Sequence, residues 1–236
     1  MIHVFEEMGT VVSIEPPLRV PEIRNVFADF NERFSLYRPD SELSRIADGS
    51  LATMDASDEL RDTYARALEW RSLTAGAFTP HRPDGVIDLS GIVKALAMNT
   101  AGELLADVDD WILNAGGDVL TSGQSATVGI VDPFDRTQLL TSVRLDGSRR
   151  AVATSGSAER GDHIWGRGEF AQVTVVADDI ITADVLATAI VSGGVGTLNA
   201  STSSWDIDVL AIDLAGNLFA TPGFTASIEA AAALAD

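Results

Sequence analysis

Apolar residues recur at helical spacing through the first half of the chain and at strand spacing through most of the second. Behind Pro16 and Pro17, the positions Val20, Ile23, Val26, Phe27, Phe30 and Phe34 fall on one face of a 3.6-residue period and predict a helix. Ahead of it, Gly9 to Ile14 alternates loosely and reads as a strand. Asp40 or Ser41 then caps a short helix ending at Gly49, and Ser57, backed by Asp58 and Glu59, opens another through Leu60, Tyr64, Ala67 and Leu68 that Gly76 stops. A further helix starts at the cap Asp88-Leu89-Ser90 and carries Ile92, Val93, Leu96 and Leu104.

Beyond Trp111 the period shortens. The runs "WILN", "DVLTS", "ATVGIVD", "LLTSVRL", "AVATS" and "FAQVTVVA" are short strands separated by turn residues. One helix interrupts them, "TADVLATAIVSGG", capped by Thr182 and stopped by its glycines. "WDIDVLAIDLAGNLFAT" reads as a last hairpin turning at Ala215-Gly216-Asn217, and "ASIEAAAALAD" as a helical tail. Helices cluster early and antiparallel strands late, with no repeat and no long linker. The pattern predicts one α+β domain over residues 1–236, with mixed, largely antiparallel sheets and packed helices.

Composition narrows the function classes. Hydrophobic residues make up 46% of the 236, a globular proportion, and the net charge is −19. That field repels nucleic acid and anionic membranes, so neither is expected as a partner. It also requires that any phosphate-bearing ligand be met by a metal or by local cations and backbone N–H groups. With no cysteine there are no disulfides, thiolate zinc sites or thiol nucleophiles. The N-terminal "MIHVFEEMGT" lacks the pattern of a secretory signal, and no uninterrupted apolar run reaches the ~18 residues of a membrane span. A cytoplasmic location without membrane insertion is the expectation.

Five stretches can carry chemistry, and each also has a purely structural reading. "NAGGDV", with Asn114, Gly116, Gly117 and Asp118, is either a hairpin turn or a place where backbone approaches a flat or phosphorylated ligand. Asp88 and Ser90 at a helix start, with Gly91 and then Lys94 on the next turn, form either an ordinary cap or an anion site within reach of a lysine. Thr154, Ser155 and Gly156 end a strand, and His163 follows in the same loop, as either a general base or a structural histidine. Asp184 and Thr188 stand four apart on one helix face, where a carboxylate and a hydroxyl can hold Mg²⁺ or simply flank an apolar stripe. Tyr37, just past an apolar helix face, either stacks on a planar ring or closes the edge of the core.

Taken in order, "MGT", "FSLYRPDSELS", "GAFTP", "DLSGIVKALAMN", "NAGGDV", "ATSGSAERGDHI" and "ADVLATA" resemble the FAD:protein FMN transferases, the ApbE-like flavin transferases, from about Met8 to about Gly194. The resemblance implies two lobes around a central cleft. It also implies FAD as substrate, Mg²⁺ as cofactor, and an acceptor flavoprotein whose Thr or Ser hydroxyl receives FMN as AMP is released. For the flavin dinucleotide it points to Met8, Tyr37, the segment Ala77, Phe78 and Thr79, Asp88, Lys94, and the pair His163 and Ile164, with the "NAGGD" turn as floor. For the metal it points to the carbonyl of Gly91 with the side chains of Asp184 and Thr188. His163 is the candidate base, and Asp184 the alternative if it does not ligate the metal. Several positions depart from the family's pattern: Thr79 where an acid is usual, Ala95 and Leu96 after Lys94, Asn99 where an acid is common, and the shortened "WGRGEF" after Ile164. Hydrolysis of FAD to FMN and AMP, flavin binding without catalysis, and a scaffold that binds no flavin remain open alternatives at this level.

Overall fold

The computed structural model describes residues 1–156 and 168–232. The chain opens with a hairpin, β1 (His3–Glu7) and β2 (Thr10–Glu15), followed by the helices α1 (Val20–Phe34), α2 (Glu42–Ala47), α3 (Asp58–Leu73) and α4 (Ser90–Leu104). Strands β3 (Ile112–Ala115), β4 (Asp118–Thr121), β5 (Ala126–Val131), β6 (Leu139–Leu145), β7 (Ala151–Gly156) and β8 (Phe170–Ala177) come next. Helix α5 (Ile180–Ser204), the hairpin β9 (Asp208–Asp213) and β10 (Leu218–Ala220), and α6 (Pro222–Ala232) complete it. The class is α+β, as the periodicity predicts.

Eight strands form one sheet in the order β1-β2-β3-β4-β7-β8-β9-β10, and β5 with β6 makes a separate hairpin. Every ladder among the described residues is antiparallel. Side chains alternate across the sheet, and both faces are covered. Ala151, Ala153, Val173, Val175, Val209 and Ala211 enter a large core shared with α1, α4 and α5. Val152, Val176 and Leu210 face the other way, into a smaller core with Ile130, Val143, Leu145 and Phe224 from β5, β6 and α6. Double coverage explains why every residue of β8 is buried, with apolar residues on consecutive positions instead of alternate ones.

The helices begin where side-chain caps supply acceptors. Ser41 Oγ accepts from Ser44 N at 3.0 Å and Ser57 Oγ from Leu60 N at 3.2 Å. Two caps differ from expectation. Asp88 sits one residue ahead of the cap position of α4, which Leu89 occupies, and its Oδ1 accepts from Ser90 N at 2.9 Å. At α5 the cap is Asp179, whose Oδ1 accepts from Ile181 N and Thr182 N at 3.0 and 2.8 Å. Thr182 itself lies inside the first turn, because an acid three residues upstream of the candidate hydroxyl captures both free N–H groups. Nor do the glycines end α5. Gly194 bends it with φ 67° and ψ −157°, Val195 N donates to Glu169 Oε2 at 2.7 Å, and the helix runs on to Ser204.

By length and composition α5 could cross a membrane, with a mean hydropathy of 1.5 over its most apolar 18 residues, although no uninterrupted apolar run shows it in the sequence. Here 61% of that window is buried inside the protein, against α4, β7 and β8. Removing its cap tests how much the start of this helix contributes. Asp179→Ala is expected to cost about 1 kcal/mol, read as a lower urea midpoint at unchanged m-value, while Thr182→Ala moves the midpoint less.

Candidate active site

The β1–β2 turn, the β3–β4 turn and the C-terminal end of β7 lie at one end of the sheet, because Val12 pairs with Ala115, Ala115 with Asp118, and Val119 with Val152. Above that end opens a cavity of about 1020 Å³, at the upper limit of the usual range for ligand clefts. Met8, Tyr37, Asp88, Lys94, Gly116 and Thr154 all line it, six expected residues drawn from five different segments. Phe30 and Phe34 give it an apolar wall from α1, and Arg38 and Arg82 add charge.

The turn "NAGGDV" is structural and cleft-forming at once. It joins β3 to β4 through two residues only, Gly116 and Gly117, with φ of 63° and 96°. A two-residue hairpin with both central φ positive is the turn that glycine permits. Asn114 Oδ1 accepts from Gly117 N at 3.1 Å and closes it. At Gly116 a Cβ would come within 2.5 Å of Thr10 Oγ1, so this glycine also lets the two turns sit against each other.

Behind the turn lies Asp118, with no exposed surface. Lys94 Nζ donates to its Oδ2, and Thr154 N donates to its Oδ1 at 3.0 Å. Burial pushes this carboxyl up to about 6, the Lys94 ammonium opposes the rise, and the neighbouring Asp184 adds to it. Lys94 was expected to reach a phosphate. Its side chain instead bridges from α4 to Asp118 and shares the cavity wall with Thr154.

Asp184 is likewise fully buried. One turn on, Thr188 Oγ1 meets Ser155 Oγ at 3.1 Å, and Thr154 Oγ1 meets Thr174 Oγ1 at 2.9 Å. Two carboxylates, Asp118 and Asp184, therefore act on one another beside a set of hydroxyls, where α4 packs on α5. All these donors are oxygens, and the set fits a hard cation that takes one or two carboxylates and keeps part of its water. Among the described residues no cluster of three acids or histidines forms a complete cage.

Tyr37 stands at the rim with 87% of its surface exposed, so it is not a core-edge aromatic. Its segment is held down at Ser35, whose carbonyl accepts from Ser41 Oγ and Ser44 Oγ at 2.5 and 3.0 Å. The segment Ala77, Phe78 and Thr79 stands apart from the cavity wall. Phe78 is in the main core, its N donating to Thr74 Oγ1 at 3.1 Å, while Thr79 is exposed. Ser155 and Gly156 are buried within β7, and Asn114 and Gly117 shape the turn without lining the cavity. His163 and Ile164 lie outside the described residues. Among the lining residues not anticipated from sequence are Thr10, at the start of β2, and Arg38 and Arg82, in loops; none carries a spacing signal.

The family model described as the ApbE family matches residues 8–83 and 79–210. No curated protein matches the chain. Among solved structures, an ApbE protein from Thermotoga maritima superposes with a TM-score of 0.81 at 20% identity, over 97% of this chain and 99% of that one. The flavin transferase ApbE from Vibrio cholerae gives 0.74 at 20% identity over 96% and 98%, and the flavinyl transferase ApbE of Pseudomonas stutzeri, in its apo form, gives 0.77 at 16% over 97% of each. At these identities the likeness is one of fold. The family's own pattern, however, runs from residue 8 to residue 210 and takes in every element that builds the cleft: the chain belongs to the ApbE family.

Proposed function

We propose that the chain transfers the FMN half of FAD to a Thr or Ser hydroxyl of an acceptor flavoprotein and releases AMP. The observation that carries this reading is the convergence of Tyr37, Asp88, Lys94, Gly116 and Thr154 on one cleft, in a member of the ApbE family, with the buried Asp184 and Asp118 behind it. In this reading Tyr37 stacks on a planar ring of the dinucleotide at the rim, and the Gly116 backbone admits the ligand closely at the floor. The acceptor hydroxyl attacks the phosphorus nearer the flavin, the bond from that phosphorus to the AMP oxygen breaks, and His163 takes the hydroxyl proton.

Asp184 and Thr188, with the Gly91 carbonyl, hold Mg²⁺, which when bound supplies positive charge against the pyrophosphate. As a ligand, Asp184 is poorly available as a base, which favours His163 for that task. Lys94 offsets one of the two buried carboxylates. The pair with its lysine is left with a net negative charge once Asp118 is ionised, which suits a divalent cation more than a lone phosphate.

Three outcomes are expected. Tyr37→Ala weakens FAD binding roughly tenfold, the loss of one stacked aromatic, measured by quenching of flavin fluorescence. Asp184→Ala abolishes Mg²⁺ binding in calorimetric titration and Mg²⁺-dependent release of AMP, with circular dichroism unchanged; Thr188→Ala does the same to a smaller degree. His163→Ala lowers the rate of transfer at saturating FAD by roughly 10²–10⁴-fold with little change in FAD affinity, read by mass spectrometry of an acceptor peptide. AMP formed at equal rates with and without the acceptor would instead identify hydrolysis.

A further inference from the structure

The cleft must hold an anion in a chain of net charge −19, and the lysine expected for that task is committed to Asp118. Two other cations line the same cavity, Arg38 and Arg82. Arg38 directly follows the rim tyrosine, and Ser41 N donates to its carbonyl at 3.1 Å. Arg82 sits in a tight excursion between α3 and α4, where Arg82 N donates to Val86 O and Gly85 N to Arg82 O, both at 2.9 Å. That excursion is tied to α3 by Tyr64 Oη and His81 Nε2, 2.8 Å apart. Both arginines are thus carried on backbone that is fixed independently of any ligand.

Their hydrogen bonding is incomplete in the same way. Each pairs through Nη2 with an acid two residues on, Arg38 with Asp40 at 3.2 Å and Arg82 with Asp84 at 3.3 Å. Those acids are 70% and 54% exposed, and exposed pairs of this kind contribute little. The Nε atom of each arginine is buried and has no hydrogen-bond partner among the described residues. A buried N–H without an acceptor is costly, and a phosphoryl oxygen is the acceptor that the planar fork of a guanidinium fits best.

We propose that Arg38 and Arg82 hold the diphosphate of the dinucleotide in the cleft, each through its guanidinium group. This rests on the reading of the cleft as a flavin-dinucleotide site. Arg82 lies at residues 79–83, where the two pieces of the family match overlap.

The test measures binding of three probes, FAD, ADP and riboflavin, to the wild type and to Arg38→Gln, Arg82→Gln and the corresponding lysine variants. Loss of a charged donor to each phosphoryl group is expected to weaken ADP and FAD roughly 10- to 100-fold while leaving riboflavin, which has no phosphate, within about twofold. Lysine, with charge but no fork, restores part of the loss. Variants that bind ADP and FAD as the wild type does would overturn the arginine assignment alone. So would an equal loss of riboflavin, which marks a structural or flavin contact. A wild type that binds neither FAD nor ADP would overturn the reading of the cleft together with it.

Discussion

Asp118 is a carboxylate with no exposed surface at the first residue of β4, and much of the site depends on how its charge is met. Lys94 of α4 and the backbone N–H of Thr154 on β7 both point to it. Three elements distant in sequence are thereby held to one atom group, and they are the three that form the back of the cleft. Removing one partner of such a pair leaves a buried charge uncompensated, which costs far more than the pair contributes on its own. The arrangement fixes the first turns of α4 against the end of the sheet. It also keeps a second carboxylate, Asp184, close to the first, although like charges in a dry site repel.

Much of the architecture was legible because the helices and strands of this chain announce their period. Ser41 and Ser57 cap where hydroxyls precede acid-rich turns, and Ile23, Phe27 and Phe34 are buried along the predicted face of α1. β1 was missed, since "HVFEE" is an edge strand with only Phe5 buried and shows no clean alternation. The cap of α5 was misplaced because Asp179 and Thr182 compete for the same free N–H groups. Periodicity alone also could not show that the apolar positions of β8 face two separate cores.

At the site, sequence named Met8, Tyr37, Asp88, Lys94, Gly116 and Thr154, which share the cavity wall, but also Ala77 to Thr79, Ser155 and Gly156, which stand apart from it. Glycines and an aromatic at a rim have local signatures, and Tyr37 and Gly116 stand where the pattern put them. Lys94 illustrates the limit: a lysine one turn inside a helix start reads as a phosphate ligand, and only the fold brings Asp118 within its reach. Phe78, inside the candidate ligand segment Ala77 to Thr79, turns into the core. Arg38 and Arg82 were invisible for the opposite reason. Each looks like an ordinary turn residue beside an acid, and their shared cavity exists only after α1, α3 and α4 have packed.

Helix α5 has the length and hydropathy of a membrane span, yet every major surface it packs on, from α4, β4, β7 and β8, precedes it in the chain. During synthesis, which exposes domains from the N-terminus onward, its docking face is therefore made before the helix itself emerges. An apolar helix whose packing partners are already synthesised has no later segment to wait for before its apolar face can be buried. Chain order is here a safeguard. A circular permutant that moved α5 to the N-terminus could keep every native contact and still lose that protection.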